Sequence, residues 1–363
     1  MKKIAFLIYN LGSGGAERVL SSLANNFSDN YEVHIITIVN TPLFYPLNAS
    51  IKMHYCRENE ITKSNVLSSL SENIRLYKKI KKTLTIEHID LLISFMTTSN
   101  VLGSLAAKSL NIPCIISERT NPSAIKLSFI WKRLVNYAYP KADIIAVQSQ
   151  SVKSFYKKII DEKKIVILPN PLSKELSALK NPEINRNNVI LNVGRLVRSK
   201  NQDLLIKAFS KVNDGKWKLI LVGDGPMLSE YKELVNKLDL EEKVEFVGKT
   251  KDVASYYNTS KIFAFTSKYE GFPNALIEAM YFELACVSTD CPSGPSEMIN
   301  HEENGFLIPV GNQNLLETYL KKLMDNELLR ISFGKKGYEK STDFEEITVA
   351  NKWKSLIEKL LNN

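Results

Sequence analysis

The chain contains 363 residues, of which 44% are hydrophobic and 24% are charged. This composition is typical of a folded globular protein, and it excludes disordered, collagen-like and low-complexity chains. The length is about twice that of an average domain, so we expect two domains that each bury a core of their own.

The charge is unevenly distributed along the chain. Residues 1–180 carry 24 Lys and Arg against 13 Asp and Glu, whereas residues 181–363 carry 24 against 26. A basic half suits an anionic partner, which can be nucleic acid, an acidic membrane surface or a phosphate-rich substrate. Lysines that only keep the chain soluble are the alternative explanation.

The four cysteines form no Cys-x-x-Cys pair, so we expect reduced thiols, no zinc cluster and a cytosolic protein. The opening MKKIAFLIYN is short and leads directly into a glycine loop, which favours a buried strand over a signal peptide. No segment approaches the roughly 18 uninterrupted apolar residues of a membrane span. Any membrane contact is therefore expected to be peripheral.

The first half alternates apolar runs with helical stretches, which predicts an α/β domain with a doubly wound parallel sheet. The predicted strands are Ile4–Tyr9, Val33–Val39, Leu91–Phe95, Cys114–Ser117 and Ile144–Val147. The predicted helices are Ala16–Phe27, Val66–Leu84, Asn100–Leu110 and Ala124–Tyr139.

A second alternation of the same kind follows a stretch rich in proline and asparagine. Its predicted strands are Val189–Val193, Leu219–Val222, Val244–Val247, Ile262–Phe265 and Cys286–Thr289. Its predicted helices are Asp203–Val212, Met227–Leu238, Val253–Tyr257 and Asn274–Phe282, followed by a helical tail. We expect domains at 1–170 and 188–343, a linker at 171–187, and a C-terminal helix at 344–363 that can pack back on the first domain. Two such domains are expected to hold a ligand in the crevice between them.

The loop between the first strand and the first helix contains Gly12, Gly14 and Gly15. Glycines at such a turn allow backbone N–H groups to approach a phosphate at the helix N-terminus. The loop is not a dinucleotide fingerprint, because Glu17 stands where that pattern requires glycine, and no Gly-Lys-Ser/Thr follows. A tight turn without a ligand remains the alternative.

Two cations follow the first strand of the second half. Arg195 comes directly after Gly194, and Lys200 precedes the next helix. Arg offers a forked donor and Lys a point charge, a combination that suits a diphosphate. Solvated surface side chains are the alternative, because most Arg and Lys residues are exposed.

Two glutamates, Glu270 and Glu278, flank a Gly/Pro turn and the start of a helix. The first helical N–H groups are expected to be available to an anion. Glu278 lies in the second helical turn, where a carboxylate can accept both hydroxyls of a ribose. The alternative is a capping or ion-paired glutamate. The residues placed at this helix start and on the other strand-end loops facing the same crevice are Phe272, Pro273, Asn274, Ala275, Leu276, Gly223, Asp224, Val247, Gly248 and Lys249.

These motifs occur in the order found in retaining glycosyltransferases of family 4, and the chain resembles a GT-B glycosyltransferase over essentially its whole length. The segments IYNLGSGGAERV and TSKYEGFPNALIEA are most similar to those of bacterial enzymes that extend polyprenyl-diphosphate-linked glycans in O-antigen, capsule or protein glycosylation. The resemblance implies a retaining transfer of a hexose or N-acetylhexosamine, with a UDP-sugar as the expected donor substrate and no cofactor.

The resemblance also implies roles for individual residues. Arg195 and Lys200 would neutralise the departing diphosphate, Glu278 would hold the ribose, and Glu270 would position the transferred sugar. Gly14 and Gly15 would lie on the donor side. No Asp-x-Asp occurs in the chain, so we expect no metal ion at the diphosphate.

One segment departs from the family pattern. Many relatives carry a histidine after the fourth or fifth strand, where this chain has Glu118 and Arg119. Arg119 is a candidate contact for an acceptor phosphate or the sugar, and Glu118 a candidate for orienting it. No histidine lies in a loop expected to line the crevice, which argues against a histidine base.

Two basic stretches, Val66–Leu84 and Ala124–Tyr139, combine apolar residues with Lys and Arg, and the second contains Phe129, Trp131 and Tyr137. This composition is typical of a helix that lies in a lipid interface. A buried amphipathic helix has the same composition. With a lipid-linked acceptor implied, we expect the protein on the cytoplasmic face of an anionic membrane.

Two other functional classes remain to be weighed. A sugar-nucleotide epimerase shares this architecture, but it needs acid and base groups that the few histidines do not supply. A nucleic-acid-binding protein would account for the pI of about 9.1. However, the chain has no nucleic-acid motif, and that function leaves the second domain unexplained.

Overall fold

A computed structural model of the chain describes residues 1–59, 66–120, 122 and 127–362, with side chains from Ser71 onward in the helix that begins at Val66. The chain divides into two compact units. Residues Met1–Asn170 and Val349–Asn363 form the first unit, and residues Pro171–Thr348 form the second.

The first unit contains a parallel sheet with the strand order β3-β2-β1-β4-β5-β6-β7 in the described residues. Its inner strands are nearly continuous apolar runs because helices cover both faces of the sheet. The strands are β1 (Lys3–Ile8), β2 (Glu32–Val39), β3 (Lys52–Arg57), β4 (Leu91–Phe95), β5 (Cys114–Ser117), β6 (Ile144–Val147) and β7 (Ile165–Ile167). The helices up to the end of this sheet are α1 (Gly15–Phe27), α2 (Val66–Ile86), α3 (Thr97–Leu110), α4 (Phe129–Ala138) and α5 (Gln150–Tyr156).

The second unit contains a parallel sheet with the order β10-β9-β8-β11-β12-β13. Its strands are β8 (Val189–Val193), β9 (Lys218–Val222), β10 (Val244–Gly248), β11 (Ile262–Phe265), β12 (Ala285–Thr289) and β13 (Phe306–Ile308). Its helices are α6 (Lys174–Ser177), α7 (Gln202–Val212), α8 (Leu228–Lys237), α9 (Val253–Thr259), α10 (Asn274–Tyr281), α11 (Pro295–Met298), α12 (Gln313–Asp325) and α13 (Glu327–Ser341). The four strands β10, β9, β8 and β11 are neighbours, so the loops after their carboxyl ends emerge side by side.

The last helix, α14 (Glu346–Leu361), begins in the second unit and returns the chain to the first. Its Trp353 side chain is fully buried and lies 6.0 Å from the ring of Phe95 at the end of β4. Val349 and Ile357 bury their side chains in the same cluster. The C-terminal segment therefore completes a hydrophobic core that begins with β1.

The fold class predicted from the sequence, two doubly wound parallel sheets, is confirmed. Strands β3, β7 and β13 are missing from the prediction. Strand β3 is half exposed at the edge of its sheet, and the other two contain three residues each, so none gives a long apolar run.

The predicted helix Ala124–Tyr139 starts too early within the described residues, since residues 127 and 128 are not helical, and residues 123–126 lie outside the described residues. The helix begins at Phe129, because the side chain of Ser128 accepts a hydrogen bond from the N–H of Trp131 and caps it. Residues 171–187 lie in the second unit, where Ser173 caps the short helix α6 in the same way. Among the helices formed by the described residues, none is long and apolar enough to cross a membrane.

Candidate functional site

Three glycines bring the loops after β8, β9 and β10 into backbone contact. The N–H of Gly194 donates to Val222 O at 2.9 Å, and the N–H of Gly223 donates to Gly248 O at 2.9 Å. Gly223 has φ +139, and a Cβ there would lie 2.0 Å from the carbonyl oxygen of Gly194. Only glycine fits this close approach.

The loop that carries Arg195 is held by the loop after β9. The N–H of Leu196 donates to Asp224 O at 3.0 Å, while a Cβ on Gly225 would lie 2.3 Å from Leu196 O. The side chains of Arg195 and Asp224 are exposed. The backbone is thus fixed, while the guanidinium of Arg195 points into solvent.

Lys200 and Glu270, predicted to share one site, form an ion pair of 2.5 Å. The hydroxyl of Ser267 donates to the same carboxylate oxygen at 2.6 Å. Two further bonds tie the segments together, since the N–H of Lys268 donates to Ser199 O and the hydroxyl of Thr266 donates to Lys200 O. The loop before α7 and the loop after β11 are therefore held together at the carboxyl edge of the sheet.

Glu278 is 8% exposed and lies in the second turn of α10. The hydroxyl of Tyr257, a fully buried residue of α9, donates to Glu278 Oε2 at 3.0 Å. This bond orients the carboxylate relative to the helix start. Sequence reasoning missed Tyr257, because its hydroxyl reaches Glu278 from a different helix and no motif contains both residues.

The start of α10 differs from the prediction in one respect. The N–H of Asn274 donates to Phe272 O, and the N–H of Leu276 donates to Pro273 O, each at 3.0 Å. The expectation that the amides of Asn274, Ala275 and Leu276 are all available to an anion is therefore wrong. The tight turn at Pro273 uses two of them, and Phe272 and Pro273 themselves are buried.

The loop after β12 supports this turn and was not singled out from the sequence. A Cβ on Gly294, which has φ +128, would lie 2.6 Å from Pro273 Cδ. Cys291 is buried in the same loop, and burial raises the pKa of its thiol to about 12. The Ser293-Gly294-Pro295 sequence is the only local signal that a special backbone is required here.

Strand β10 ends in an irregular pairing between Phe246 and Gly248, and Gly248 has φ +78. Val247 is half-buried and Lys249 is exposed. Val247 and Gly248 are the last two residues of β10, and Lys249 follows the strand, so of these three predicted loop residues Lys249 alone lies beyond the strand.

In the glycine loop of the first unit, a side chain of the protein itself lies against Gly14. Gly14 is the N-cap residue of α1, and the carboxylate of Glu17 folds over it, so that a Cβ on Gly14 would meet Glu17 Oε2 at 2.1 Å. Burial raises the pKa of the Glu17 carboxyl. Gly15 is exposed. The space next to Gly14 is thus occupied by the protein's own carboxyl group.

Glu118 and Arg119 follow β5 and are both buried. Glu118 accepts hydrogen bonds from the hydroxyl of Tyr139 and from Asn100 Nδ2, and its burial raises the pKa of the carboxyl. It also lines a cavity of about 320 Å³ beneath α4.

Arg119 lies between two aromatic rings. Its guanidinium carbon is 5.4 Å from the centre of the Phe95 ring and 5.5 Å from that of Trp353. The guanidinium donates to Ser117 Oγ and to Asn170 Oδ1. Burial lowers the pKa of Arg119, and the neighbouring Glu118 raises it. Arg119 therefore ties the end of β5 to α14.

Helix α4 leaves three large apolar side chains exposed beside cations. Phe129, Ile130 and Tyr137 are 68%, 55% and 62% exposed, next to the exposed cations Lys132 and Arg133. Trp131 is half-buried against the core. Residues 124–126 of this stretch, including Lys126, lie outside the described residues.

The other basic stretch, α2, buries an apolar stripe in the core. Its buried side chains are Leu76, Ile80 and Leu84, at the spacing of one helix face. From Ser71 onward, where its side chains are described, α2 therefore fits the buried amphipathic interpretation. Its lysines Lys78, Lys79 and Lys82 lie in solvent together with the exposed Ile74 and Ile86.

The chain is similar to known proteins over its whole length. The family model described as Glycosyltransferase Family 4 matches residues 13–176, and the model described as Glycosyl transferases group 1 matches residues 173–340. The chain is 33% identical to the Campylobacter jejuni N-acetylgalactosamine-N,N'-diacetylbacillosaminyl-diphospho-undecaprenol 4-alpha-N-acetylgalactosaminyltransferase, with 96% of this chain and 98% of that protein covered.

A second Campylobacter jejuni protein, the GalNAc-alpha-(1->4)-GalNAc-alpha-(1->3)-diNAcBac-PP-undecaprenol alpha-1,4-N-acetyl-D-galactosaminyltransferase, is 29% identical with 100% of both chains covered. The structure of Anabaena HepE in complex with UDP matches with a TM-score of 0.82 at 20% identity, covering 99% of this chain and 100% of that one. Two doubly wound domains of this kind define the GT-B class. The chain belongs to glycosyltransferase family 4, and it is a glycosyltransferase.

The buried carboxyl of Glu118 predicts a pH dependence of stability. Its pKa is raised in the folded state, so the folded protein holds a proton that the unfolded chain releases above about pH 4.3. Stability contributed by this group is therefore present at low pH and is lost as the pH rises through the folded pKa.

In urea denaturation between pH 5 and 8, Glu118→Gln is expected to unfold at equal or higher urea than the wild type at the upper end, with a flatter pH profile. The exposed Glu339→Gln serves as the control and should follow the wild type. Parallel profiles for all three proteins would show that Glu118 is ionised in the folded state.

Proposed function

We propose that this glycosyltransferase moves a hexose or N-acetylhexosamine, with retention of configuration, from a UDP-sugar to a polyprenyl-diphosphate-linked glycan. The product would enter surface polysaccharide or glycoprotein biosynthesis. The observation that carries the proposal is the Lys200–Glu270 pair at the carboxyl edge of the second sheet, in a chain that resembles transferases acting on undecaprenol-linked acceptors.

The second unit would bind the donor. Arg195 is exposed on a loop whose backbone is fixed, and Lys200 lies on the same loop. A diphosphate carries more negative charge than the single carboxylate of Glu270, so its arrival would draw the Lys200 ammonium toward the phosphate oxygens. Glu270 holds Lys200 in place beforehand, which reduces the reorganisation required when the diphosphate leaves.

Glu278 would bind the ribose. A carboxylate held by Tyr257 at one oxygen presents an acceptor of fixed direction, as a diol requires. The burial of Glu278 strengthens such a bond, because competing water is excluded.

The transfer step would proceed on one face of the sugar. The bond between the anomeric carbon and the diphosphate oxygen breaks, the acceptor oxygen bonds to the same face, and the acceptor's proton passes to the departing phosphate oxygen. Arg195 and Lys200 would stabilise the negative charge of the leaving group, without a metal ion at the diphosphate. The sequence supports this reading, since it contains no Asp-x-Asp pair.

The first unit would bind the acceptor and face the membrane. The exposed side of α4 combines Phe129, Ile130 and Tyr137 with Lys132 and Arg133, which suits a helix at an anionic lipid interface. Lipid-linked acceptors would be reached from the cytoplasmic face. For Arg119 the burial between two rings favours a role in holding α14, and we propose no acceptor contact for it.

Removing either cation of the donor site should slow transfer. We expect Arg195→Ala and Lys200→Ala each to lower the rate on the order of 10²–10³, because a donor to the departing diphosphate is lost. The measurement is radiolabelled sugar transfer from UDP-sugars to extracted polyprenyl-diphosphate glycans, with donor alone as the test for epimerisation.

The matched control for these variants is Arg198→Ala, an 82% exposed side chain of the same loop, which should transfer at the wild-type rate. EDTA should leave transfer unchanged. Loss of transfer in EDTA with recovery on adding Mg²⁺ or Mn²⁺ would contradict the metal-free donor site.

Substitution of Glu278 should change UDP binding, whereas substitution of Glu270 should change turnover. Glu278→Gln removes the charge that holds the ribose, so UDP binding should weaken by about 1–3 kcal/mol in calorimetry. Glu270→Gln should lower turnover while UDP binds as well as or better than before, because Lys200 is released from its carboxylate. If both variants bind UDP and turn over like the wild type, the pair of glutamates has only a structural role.

Membrane attachment can be tested by vesicle sedimentation. Each basic residue near an anionic surface contributes roughly 1 kcal/mol, so the protein should bind phosphatidylglycerol vesicles at low salt and dissociate as salt rises. Binding should weaken in Lys132→Gln/Arg133→Gln and in Phe129→Ala/Ile130→Ala. The control Lys232→Gln/Lys237→Gln changes two exposed lysines of the second unit and should bind as before. Equal binding to neutral vesicles would contradict this assignment.

A further inference from the structure

A second cluster of chemically active side chains lies in the first unit, toward the amino ends of its strands. His34 is the third residue of β2 and His54 the third residue of β3, and Glu87 follows the end of α2. They are thus at the amino ends of parallel strands, whereas Gly14, Glu118 and Arg119 follow carboxyl ends. No step of the proposed transfer uses them.

The ligand atoms of these three side chains converge. His34 Nδ1 lies 3.0 Å from His54 Nε2 and 3.9 Å from Glu87 Oε2, and all three atoms lie within 4.8 Å of one another. Across a tetrahedral zinc ion, with bonds of 2.0–2.2 Å, ligand atoms are separated by about 3.3 Å. The two ring nitrogens now share a hydrogen bond in nearly coplanar rings, so binding of an ion requires the half-buried His54 and Glu87 side chains to rotate and open this contact.

The surroundings of His34 match those of a metal-binding histidine. Its other ring nitrogen, Nε2, lies 3.1 Å from Glu32 Oε1, while Lys52 and Lys3 hold that carboxylate at 2.6 and 3.5 Å. A carboxylate on the remote nitrogen fixes the proton there and leaves the lone pair of Nδ1 directed at the cluster. Burial lowers the pKa of both histidines, which favours the neutral form that binds metals.

We propose that His34, His54 and Glu87 bind a divalent transition metal ion, with Zn²⁺ as the ion best suited to two imidazoles and one carboxylate. Glu32 acts as the positioning residue for His34. Within the described residues, the ion would link the two strands β2 and β3 to the end of helix α2. Its role is structural, and it is distinct from the metal-free chemistry proposed for the donor diphosphate.

The test is calorimetric titration of the metal-free, full-length protein with Zn²⁺. We expect one equivalent to bind in the wild type, with binding lost in His54→Gln and in Glu87→Gln. Glu32→Gln should keep the ligands and lower the affinity about 10–100-fold. The control is His88→Asn, which changes the exposed histidine next to Glu87 at a residue with φ +53, a conformation that Asn tolerates. It should bind like the wild type.

Three further measurements complete the test. Circular dichroism verifies that each variant is folded, and the visible spectrum of the Co²⁺ form separates a His/carboxylate site from one that uses the buried thiols, which would add thiolate charge-transfer bands. If the wild type binds no Zn²⁺, or binds it as tightly after Glu87→Gln and His54→Gln, the two histidines form only a hydrogen bond. EDTA should lower the thermal stability of the wild type and leave Glu87→Gln unchanged, irrespective of transfer activity.

Discussion

The backbone at Gly223 passes so close to Gly194 that a methyl group on Gly223 would overlap the Gly194 carbonyl oxygen. This approach decides where the loops after β8 and β9 can run, and the bond from Gly223 to Gly248 extends the arrangement to β10. Arg195 and Lys200 are carried on the first of these loops. The positions of Arg195 and Lys200 therefore depend on two glycines, Gly194 and Gly223.

The Lys200–Glu270 pair shows how a nearly buried charge is stabilised by contacts from two loops. A 10% exposed carboxylate would be unfavourable alone, and the ammonium and the Ser267 hydroxyl satisfy it. The Lys200 ammonium is held in place as well, because its loop is hydrogen-bonded to the residues that follow β11. The contacts that stabilise the Glu270 carboxylate thus also fix the position of the cation that we propose for the diphosphate.

The fold was predictable because parallel sheets covered on both faces leave apolar runs in the sequence. The proximity of Lys200 and Glu270 was predictable because both residues follow such runs, at the same edge of one sheet. The sequence did not predict contacts between side chains that belong to different elements of the chain. The Tyr257 hydroxyl on Glu278 and the convergence of His34, His54 and Glu87 depend on packing between elements, and no local pattern encodes either.

The direction of neighbouring side chains was a further limit of the sequence. Glu118 and Arg119 are adjacent, yet Glu118 meets Tyr139 on one side of the sheet and Arg119 meets Trp353 on the other, as the alternation of an extended chain requires. The sequence alone did not show which of the two directions leads to solvent. In the folded unit both side chains are buried, and Glu118 lines the cavity beneath α4.

The contact between Arg119 and Trp353 also bears on how the protein is made. A chain that has been synthesised only as far as Asn170 contains every strand of the first sheet but lacks α14, so the apolar face around Phe95 and one face of a buried guanidinium remain uncovered. The first unit to leave the ribosome is thus the last to be completed, and the second unit can finish folding before it. A stop codon shortly before Trp353 would damage the half of the protein that was translated first.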